Sequence, residues 1–281
     1  MFILWFGWYG FNAGSAFSIS SKTQGRVTSL AAVNTTLAAA SGGVAALLIN
    51  LILTERRTGE GKFALMKCAN GCLGGLVAIT AGCSTVEPWA AVIIGLIAGC
   101  LYLSSSELLV RLTLDDAVDA IPVHMANGAW GLISVGLFAT PSRLDDAYGR
   151  SDHVGWFYSW GQGSADATLL ACQLCCILFI FGWVLLIMFP FFCFLNYKGW
   201  FRADALTEIV GLDLSYHGGS YSNYNNGSDI SPEYLQAYNE RKARNMRNGQ
   251  SRSDQTNSTP EQGHSIAPDV EADGGVDVVE G

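Results

Sequence analysis

The sequence predicts an all-α protein that crosses a membrane several times. Half of the 281 residues are hydrophobic and only 14% are charged. The charged residues crowd into short connectors and the C-terminal end, which leaves long uncharged runs between them. A run of roughly 18 or more apolar residues is long enough to cross the hydrocarbon core as a helix. Small residues dominate the stretches 38–43, 70–75 and 95–99, which predicts close packing between the helices.

Six apolar runs follow one another along the chain. They cover approximately residues 2–16, 28–53, 65–83, 88–109, 120–139 and 166–196. The first is short, because about 15 residues span roughly 22 Å as a helix, against roughly 30 Å of hydrocarbon core. It starts at Met1 without the positive flank of a secretory signal peptide. We therefore expect the natural helix, and the natural protein, to begin upstream of Met1.

The distribution of basic residues predicts the orientation in the membrane, because cytoplasmic connectors carry an excess of Lys and Arg. The connectors after the second and fourth runs and the segment after the sixth hold Arg56, Arg57, Lys62, Lys67, Arg111, Lys198 and Arg202. The alternate connectors hold only Lys22, Arg26, Arg143 and Arg150. We therefore expect a cytoplasmic C-terminus and an outer loop over residues 140–165. Four aromatic residues of that loop are expected at the headgroup level: Trp156, Phe157, Tyr158 and Trp160.

The composition disfavours several other classes of protein. The eight cysteines lie in or beside apolar runs, unlike the loop-borne cysteines of a disulfide framework. Cys172 and Cys175 have the spacing of a redox or zinc pair, but small apolar side chains on a lipid-exposed helix are the favoured interpretation. No basic stripe interleaved with aromatic residues indicates nucleic acid. We expect no metal, no cofactor and no nucleic-acid partner.

The composition changes abruptly after Asn196. Residues 220–281 are rich in Ser, Asn, Gly and Gln, and such a segment cannot bury enough apolar surface to fold alone. The predicted organisation is a membrane domain over residues 1–196, a cytoplasmic segment over 197–219 and a disordered cytoplasmic tail over 220–281.

His124 is an ionisable residue within the fifth apolar run, where such a group is energetically expensive. In an α-helix, Gly128, Gly131 and Val135 fall on its face and leave open volume beside the imidazole. Two interpretations follow from these residues: a hydrogen bond to a neighbouring helix, or a group that lines a passage.

Five motifs occur in order along the chain: WFGWYGFNAGSA (5–16), NTTLAAASGG (34–43), NGCLGGLVAITAGCSTVEPWAA (70–91), DDAVDAIPVHMANGAWG (115–131) and GLDLSYHGG (211–219). Together they resemble the ammonium transporter family (Amt/Mep/Rh), especially its plant- and alga-like branch. The resemblance implies a homotrimer of eleven-helix subunits, each with one pore and built from two inverted five-helix halves plus a final long helix. It assigns residues 1–139 to the second half-repeat and 166–196 to the closing helix.

The resemblance also implies a pathway for ammonium or ammonia, with methylammonium as an analogue. Trp8 and Phe11 match the aromatic outer vestibule, with Phe11 in the phenylalanine gate, and Ser15 matches the hydroxyl that helps recruit ammonium. An aromatic face attracts a cation by about 0.5–2 kcal/mol. His124 matches the second-half member of the pore's histidine pair. There, a buried neutral imidazole offers one donor and one acceptor and can relay a proton.

Two further positions near His124 carry open interpretations. Asp119 matches the acidic residue at the inner end of the family's tenth helix, where it stabilises the helix N-terminus, alone or with an additional role in attracting a departing cation. The structural role, capping of free N–H groups, is preferred for Asp115 and Asp116. Met125 replaces the glycine that the family often has after this histidine, which leaves the local pore shape open.

GLDLSYHGG resembles the family's cytoplasmic regulatory stretch, which docks on a neighbouring subunit. Its candidate regulatory residues are Gly211, Asp213, Ser215, His217 and Gly218. Ser215 stands where plant-like members carry a phosphorylatable threonine. A phosphate adds nearly two negative charges, so we hypothesise that phosphorylation undocks the segment and switches transport off.

The leading prediction is the C-terminal part of a multi-pass ammonium permease of the plasma membrane, which is not an enzyme. The alternative is a non-conducting sensor of the same fold, with the tail as its output. An intramembrane enzyme that uses His124 with Asp119 is disfavoured, because side chains five residues apart on a helix diverge by about 140°.

Overall fold

The computed structural model describes residues 1–203, 208, 236, 239–241 and 243–244, and their regular structure is entirely helical, as predicted. The α-helices are α1 (Phe2–Asn12), α2 (Lys22–Thr58), α3 (Leu65–Thr80), α4 (Pro88–Arg111), α5 (Asn127–Phe138), α6 (Pro141–Tyr148), α7 (Trp156–Gly161) and α8 (Thr168–Tyr197). A 3₁₀ turn, Gly14–Ala16, follows α1, and a π-helix, Ile121–Ala126, leads directly into α5.

Four helical segments of the described residues are long and apolar enough to cross a membrane, where the sequence predicts six. They are Lys22–Thr58, Pro88–Arg111, Ile121–Phe138 and Thr168–Tyr197. The other two runs are also helical, but α1 has 11 residues and α3 has 16. The third run ends early because the chain turns after Thr80. Its turn is held by buried Asn34, whose amide donates to the carbonyls of Cys83 and Val86 at 2.9 and 2.8 Å.

The core lies where α2, α3 and α4 pack against one another through small residues. A Cβ added to Gly42 on α2 would lie 2.6 Å from the carbonyl oxygen of Gly71 on α3 and 3.2 Å from that of Gly95 on α4. Gly75 and Gly95 both press against the backbone of Ala38. This close backbone contact confirms the tight packing predicted from the small-residue stretches.

The loop of residues 140–165 contains two short helices and is tied to the bundle by charged side chains. Arg143 donates two hydrogen bonds to Glu87, at 2.8 and 3.2 Å, and Arg26 pairs with Asp146 at 2.7 Å. Phe157 packs edge-on against Phe138 of α5, with ring centroids 5.2 Å apart. The position of this loop relative to a membrane stays a prediction.

The chain divides into two compact units, Met1–Phe189 and Pro190–Gly281, and the boundary falls at a proline inside α8. In the first unit, α8 begins where the Asp166 carboxylate accepts hydrogen bonds from the backbone N–H and the hydroxyl of Thr168, at 2.9 and 2.5 Å. In the second unit, Phe192 packs against Phe201 at 5.2 Å. Within the described residues no side chain of α8 is buried, and a helix that is apolar all round suits a hydrocarbon environment. The predicted domain boundaries at 196 and 219 stay predictions.

Candidate functional site

His124 lies in the π-helix that precedes α5. A π-helix forms its hydrogen bonds between residues i and i+5, which adds one residue to the turn. Such turns are rare in proteins, and those that occur are often found at functional sites. The side chain of Asn127, which is fully buried, donates to the carbonyl oxygen of Pro122 at 3.0 Å. The backbone around His124 is therefore an irregular turn that a buried amide holds in place.

The prediction that His124, Gly128, Gly131 and Val135 share one open face is wrong. His124 is exposed, whereas Gly131 and Val135 are buried. A Cβ on Gly131 would lie 2.6 Å from the carbonyl oxygen of Ala78 on α3. The π-turn changes the angular spacing that a continuous α-helix would give. Gly131 therefore serves close packing between α3 and α5 and leaves no volume beside the imidazole.

The expected burial of the imidazole is also not found in the described residues. His124 and its neighbour Met125 are both exposed, and Ile121 is 36% exposed. Within the described part of the chain, the imidazole of His124 makes no hydrogen bond, although its backbone carbonyl accepts one from the N–H of Asn127. The imidazole therefore lies on an exposed side of the π-helix, which we call its uncovered side.

The aromatic residues predicted for the outer vestibule lie at the C-terminal end of α1. The indole N–H of Trp8 donates to the hydroxyl of Thr80 on α3 at 2.8 Å, and the Trp8 and Phe11 rings meet edge-on with centroids 5.9 Å apart. Phe11 is 60% exposed. The Ser15 hydroxyl donates to the carbonyl oxygen of Phe11 at 2.5 Å. The structure thus brings these three predicted residues together, on a different element from His124.

Asp116 has the structural role predicted for it. Its two carboxylate oxygens accept hydrogen bonds from the backbone N–H groups of Ala120 and Ile121, at 2.8 and 2.7 Å, and so cap the start of the π-helix. That prediction is confirmed for Asp116 and stays a prediction for Asp115.

Asp119 is the centre of a polar cluster formed with four residues of α3 and α4. Its backbone is left-handed, with φ at 57°. Its carboxylate accepts hydrogen bonds from the hydroxyls of Tyr102 and Ser106 at 2.7 and 2.8 Å, and from the side-chain nitrogens of Lys67 and Asn70, both at 3.3 Å. We call these five residues the Asp119 cluster.

The Asp119 carboxylate is ionised and already has a cationic partner. Burial raises the pKa of Asp119, but the hydrogen bonds from Tyr102 and Ser106 and the charge of Lys67 outweigh it and lower the pKa below its usual value. The sequence prediction missed the partners of Asp119, although polar side chains in apolar runs are a recognisable sign of function. Separation along the chain hides the contact, because Lys67 lies 52 residues from Asp119.

The five regulatory residues predicted between Gly211 and Gly218 lie outside the described residues, so their roles stay predictions.

The fold and this site define a multi-pass, all-helical membrane protein whose histidine-bearing helix begins with a π-turn. Residues 1–222 match the model described as Ammonium Transporter Family. The chain therefore belongs to the ammonium transporter family, which confirms the resemblance in its motifs.

Curated relatives from plants agree with this assignment. Ammonium transporter 1 member 1 of rice (Oryza sativa subsp. japonica) is 40% identical over 227 residues, which cover 78% of this chain and 43% of the relative. Ammonium transporter 1 member 2 of Arabidopsis thaliana is 38% identical over 238 residues, which cover 82% of this chain and 44% of the relative. The chain thus spans less than half the length of these relatives.

Solved structures show the same fold. Mep2 of Candida albicans superposes with a TM-score of 0.61 at 27% identity, covering 82% of this chain and 46% of that one. A structure titled Sensor Amt Protein superposes with a TM-score of 0.59 at 33% identity, covering 76% of this chain and 47% of that one. The predicted ammonium-transporter fold is confirmed by these similarities.

Proposed function

We propose that this protein moves ammonium or ammonia across a membrane along a pathway that includes His124. The observation that carries the proposal is an accessible imidazole, without a partner among the described residues, on an irregular turn of a membrane-spanning segment. Membership of the family and its plant relatives named ammonium transporters support it.

The chemistry of His124 suits this task. A neutral imidazole has one nitrogen that accepts and one that donates a hydrogen bond. Ammonium donates hydrogen bonds and potassium cannot, so an acceptor in a dry pathway separates two cations of similar size. The same imidazole relays a proton when ammonia is the species that crosses.

The aromatic group at the end of α1 suits the outer entrance. The exposed face of Phe11 lies beside Trp8, and aromatic faces attract cations by about 0.5–2 kcal/mol. The Ser15 hydroxyl already donates to Phe11, so its oxygen lone pairs remain free to accept a hydrogen bond from ammonium.

A covering layer of protein is needed on the uncovered side of the π-helix, because an imidazole open to its surroundings selects nothing. We propose that helices equivalent to the family's other half supply this layer, together with the second histidine. We further propose a homotrimer in the plasma membrane with the C-terminus in the cytoplasm, and docking of residues 211–218 that phosphorylation of Ser215 reverses. Normal transport by a Ser215→Asp variant would count against that switch.

A non-conducting sensor is the second candidate, supported by the similarity to the structure titled Sensor Amt Protein. Uptake of labelled methylammonium into transporter-deficient cells separates the two candidates. A transporter raises uptake above that of cells with an empty vector, and unlabelled ammonium competes with it. If the protein reaches the membrane together with these covering helices and uptake stays at the vector level, the transport proposal is contradicted and the sensor remains.

A further inference from the structure

We propose that the Asp119 cluster is a binding site for a small ammonium cation, and that the ε-ammonium group of Lys67 occupies it as a tethered ligand. The site lies on α3, α4 and the segment before the π-helix. Its ligand class comprises ammonium and small primary ammonium ions such as methylammonium.

The groups around the Lys67 nitrogen are those that recognise an ammonium ion. Nζ donates to the Ser106 hydroxyl at 3.0 Å and to the Asp119 carboxylate at 3.3 Å, and it lies 5.2 Å from the centroid of the Tyr102 ring. An ionised carboxylate, a hydroxyl oxygen and an aromatic face supply charge, a hydrogen-bond acceptor and a cation–π contact. Each of the three groups therefore makes a different kind of interaction with the cation.

The groups that contact the Lys67 nitrogen are held in position by hydrogen bonds that do not involve Lys67. The Ser106 hydroxyl donates to one oxygen of Asp119 at 2.8 Å, so its lone pairs face the lysine nitrogen. The Tyr102 hydroxyl and the Asn70 amide hold the other oxygen, at 2.7 and 3.3 Å. Tyr102 is fully buried and Ser106 is 5% exposed. Removal of the lysine side chain therefore leaves the three groups in place around a partly open position, because the Lys67 side chain is 34% exposed.

The occupied site has a consequence for transport, which rests on the proposed function. If the Asp119 carboxylate had no cationic partner, it would bind and retain a free ammonium ion beside the π-helix. Because Lys67 already neutralises Asp119, ammonium that has passed His124 finds no free anion there. In this proposal Asp119 ties the segment before the π-helix to α3 and α4 and does not attract departing cations.

Chemical rescue tests the site without any transport assay. The full chain is purified in detergent as wild type and as Lys67→Ala, and its melting temperature is followed during titration with ammonium chloride and, separately, sodium chloride. The expected result for Lys67→Ala is a saturable rise of about 2–4 °C in ammonium above that in sodium. Methylammonium should give a smaller rise, and wild type should show none.

Two control variants localise the effect. Lys67→Met fills this position with an uncharged side chain and should not respond to ammonium. Lys67→Ala combined with Asp119→Asn leaves the position open but removes the carboxylate charge, and should also fail to respond. Equal melting of Lys67→Ala in ammonium and sodium, or an equal response of Lys67→Met, overturns the proposal.

If Lys67→Ala is too unstable to melt cooperatively, the yield of folded protein is compared after extraction in ammonium chloride and in sodium chloride. A higher yield in ammonium supports the site, and equal yields overturn it. Because neither readout involves flux, failure here leaves the transport proposal standing, and failure of transport leaves this site standing.

Discussion

At the scale of single residues, buried asparagine side chains hold the irregular turns of this bundle by hydrogen bonds to backbone carbonyls. Asn127 holds the π-helix through the Pro122 carbonyl, and Asn34 holds the turn after α3 through two carbonyls. Asn12 donates to the Thr35 hydroxyl at 2.9 Å and joins α1 to α2. Backbone carbonyls freed from a helix need such donors, because burying an unpaired polar group costs about 1–3 kcal/mol.

Replacement of Asn34 by Ala is expected to destabilise the protein by about 1–3 kcal/mol for each carbonyl left unpaired. Both lost bonds, to Cys83 and Val86, lie in the same buried turn. Thermal unfolding in detergent measures the effect. Asn50→Ala is the matched control, because the Asn50 amide makes only a long, exposed bond of 3.5 Å to Lys62. Equal melting temperatures for the two variants would contradict the anchoring role.

Asp166 makes the stability of the loop before α8 depend on pH. Hydrogen bonds from Thr168, and then the contact with His153, lower the pKa of Asp166 from 3.8 to about 2. A carboxylate with a lowered pKa stabilises the fold above its unfolded pKa, and that stabilisation is lost as the pH falls toward the folded value. The contribution is therefore complete near neutral pH.

We expect Asp166→Asn to melt at a lower temperature than wild type at about pH 6, with the difference shrinking below about pH 4 and vanishing near pH 2. Melting curves across this range measure it. Asp152→Asn in the same loop controls for the loss of one negative charge. A difference that stayed constant down to about pH 2 would show that the ionised form of Asp166 has no special role.

At the scale of elements, the π-turn and the helix contacts beside it determine what each side of the segment that carries His124 packs against. One turn apart on α5, Gly131 meets the backbone of Ala78 while Gly128 has only a methyl group of Val77, 3.9 Å from a Cβ position. Backbone cannot move aside as a flexible side chain can. Gly131 is therefore needed for close helix packing and Gly128 is not, although both belong to one motif.

Gly131→Ala is expected to force α3 and α5 apart and to cost about 1–3 kcal/mol, as overpacked cores do. Gly128→Ala should be neutral or stabilising, because alanine favours a helix by about 1 kcal/mol over glycine. Melting temperatures of the two variants measure the contrast. Equal destabilisation by both would contradict the close approach at Gly131.

The helical runs were predictable because apolar length and composition decide them locally. The points where these helices end were not predictable, because they depend on residues far away in the sequence. For example, Asn34 on α2 holds the turn after α3 by a hydrogen bond to Cys83, 49 residues further along the chain. The face of His124 was mispredicted for a related reason. The faces were assigned with 3.6 residues per turn, which holds only for an unbroken α-helix. The π-turn that Asn127 supports has more residues per turn, so that assignment fails around His124. The motifs identified the family correctly, but they did not reveal the partners of Asp119.

At the scale of the whole molecule, the distribution of basic residues predicts which segments lie on each side of the membrane. The loop over residues 140–165 is predicted outside, and the C-terminal segment inside. Asn226 and Asn257 stand in Asn-x-Ser/Thr patterns, which are modified only on the outer side. A glycan can therefore report the orientation directly.

Expression in glycosylating cells is expected to leave Asn226 and Asn257 unmodified. Gly149→Asn creates an Asn-Arg-Ser pattern in the exposed loop, at a left-handed position, φ 69°, that asparagine tolerates. That variant should gain a glycan, seen as a glycosidase-sensitive shift on a gel. A glycan on either native asparagine would reverse the predicted orientation.

Selectivity between ammonium and potassium tests the central claim, the role of His124, most directly. Fluxes of both cations are compared in transporter-deficient cells for wild type, His124→Ala and the loop control His153→Ala. A lost hydrogen bond to a charged ligand is worth about 1.5–3 kcal/mol, so His124→Ala should lower the ratio of ammonium to potassium flux by about tenfold or more, while His153→Ala keeps it. An unchanged ratio and an unchanged ammonium flux in His124→Ala would contradict the role of this imidazole in the pathway.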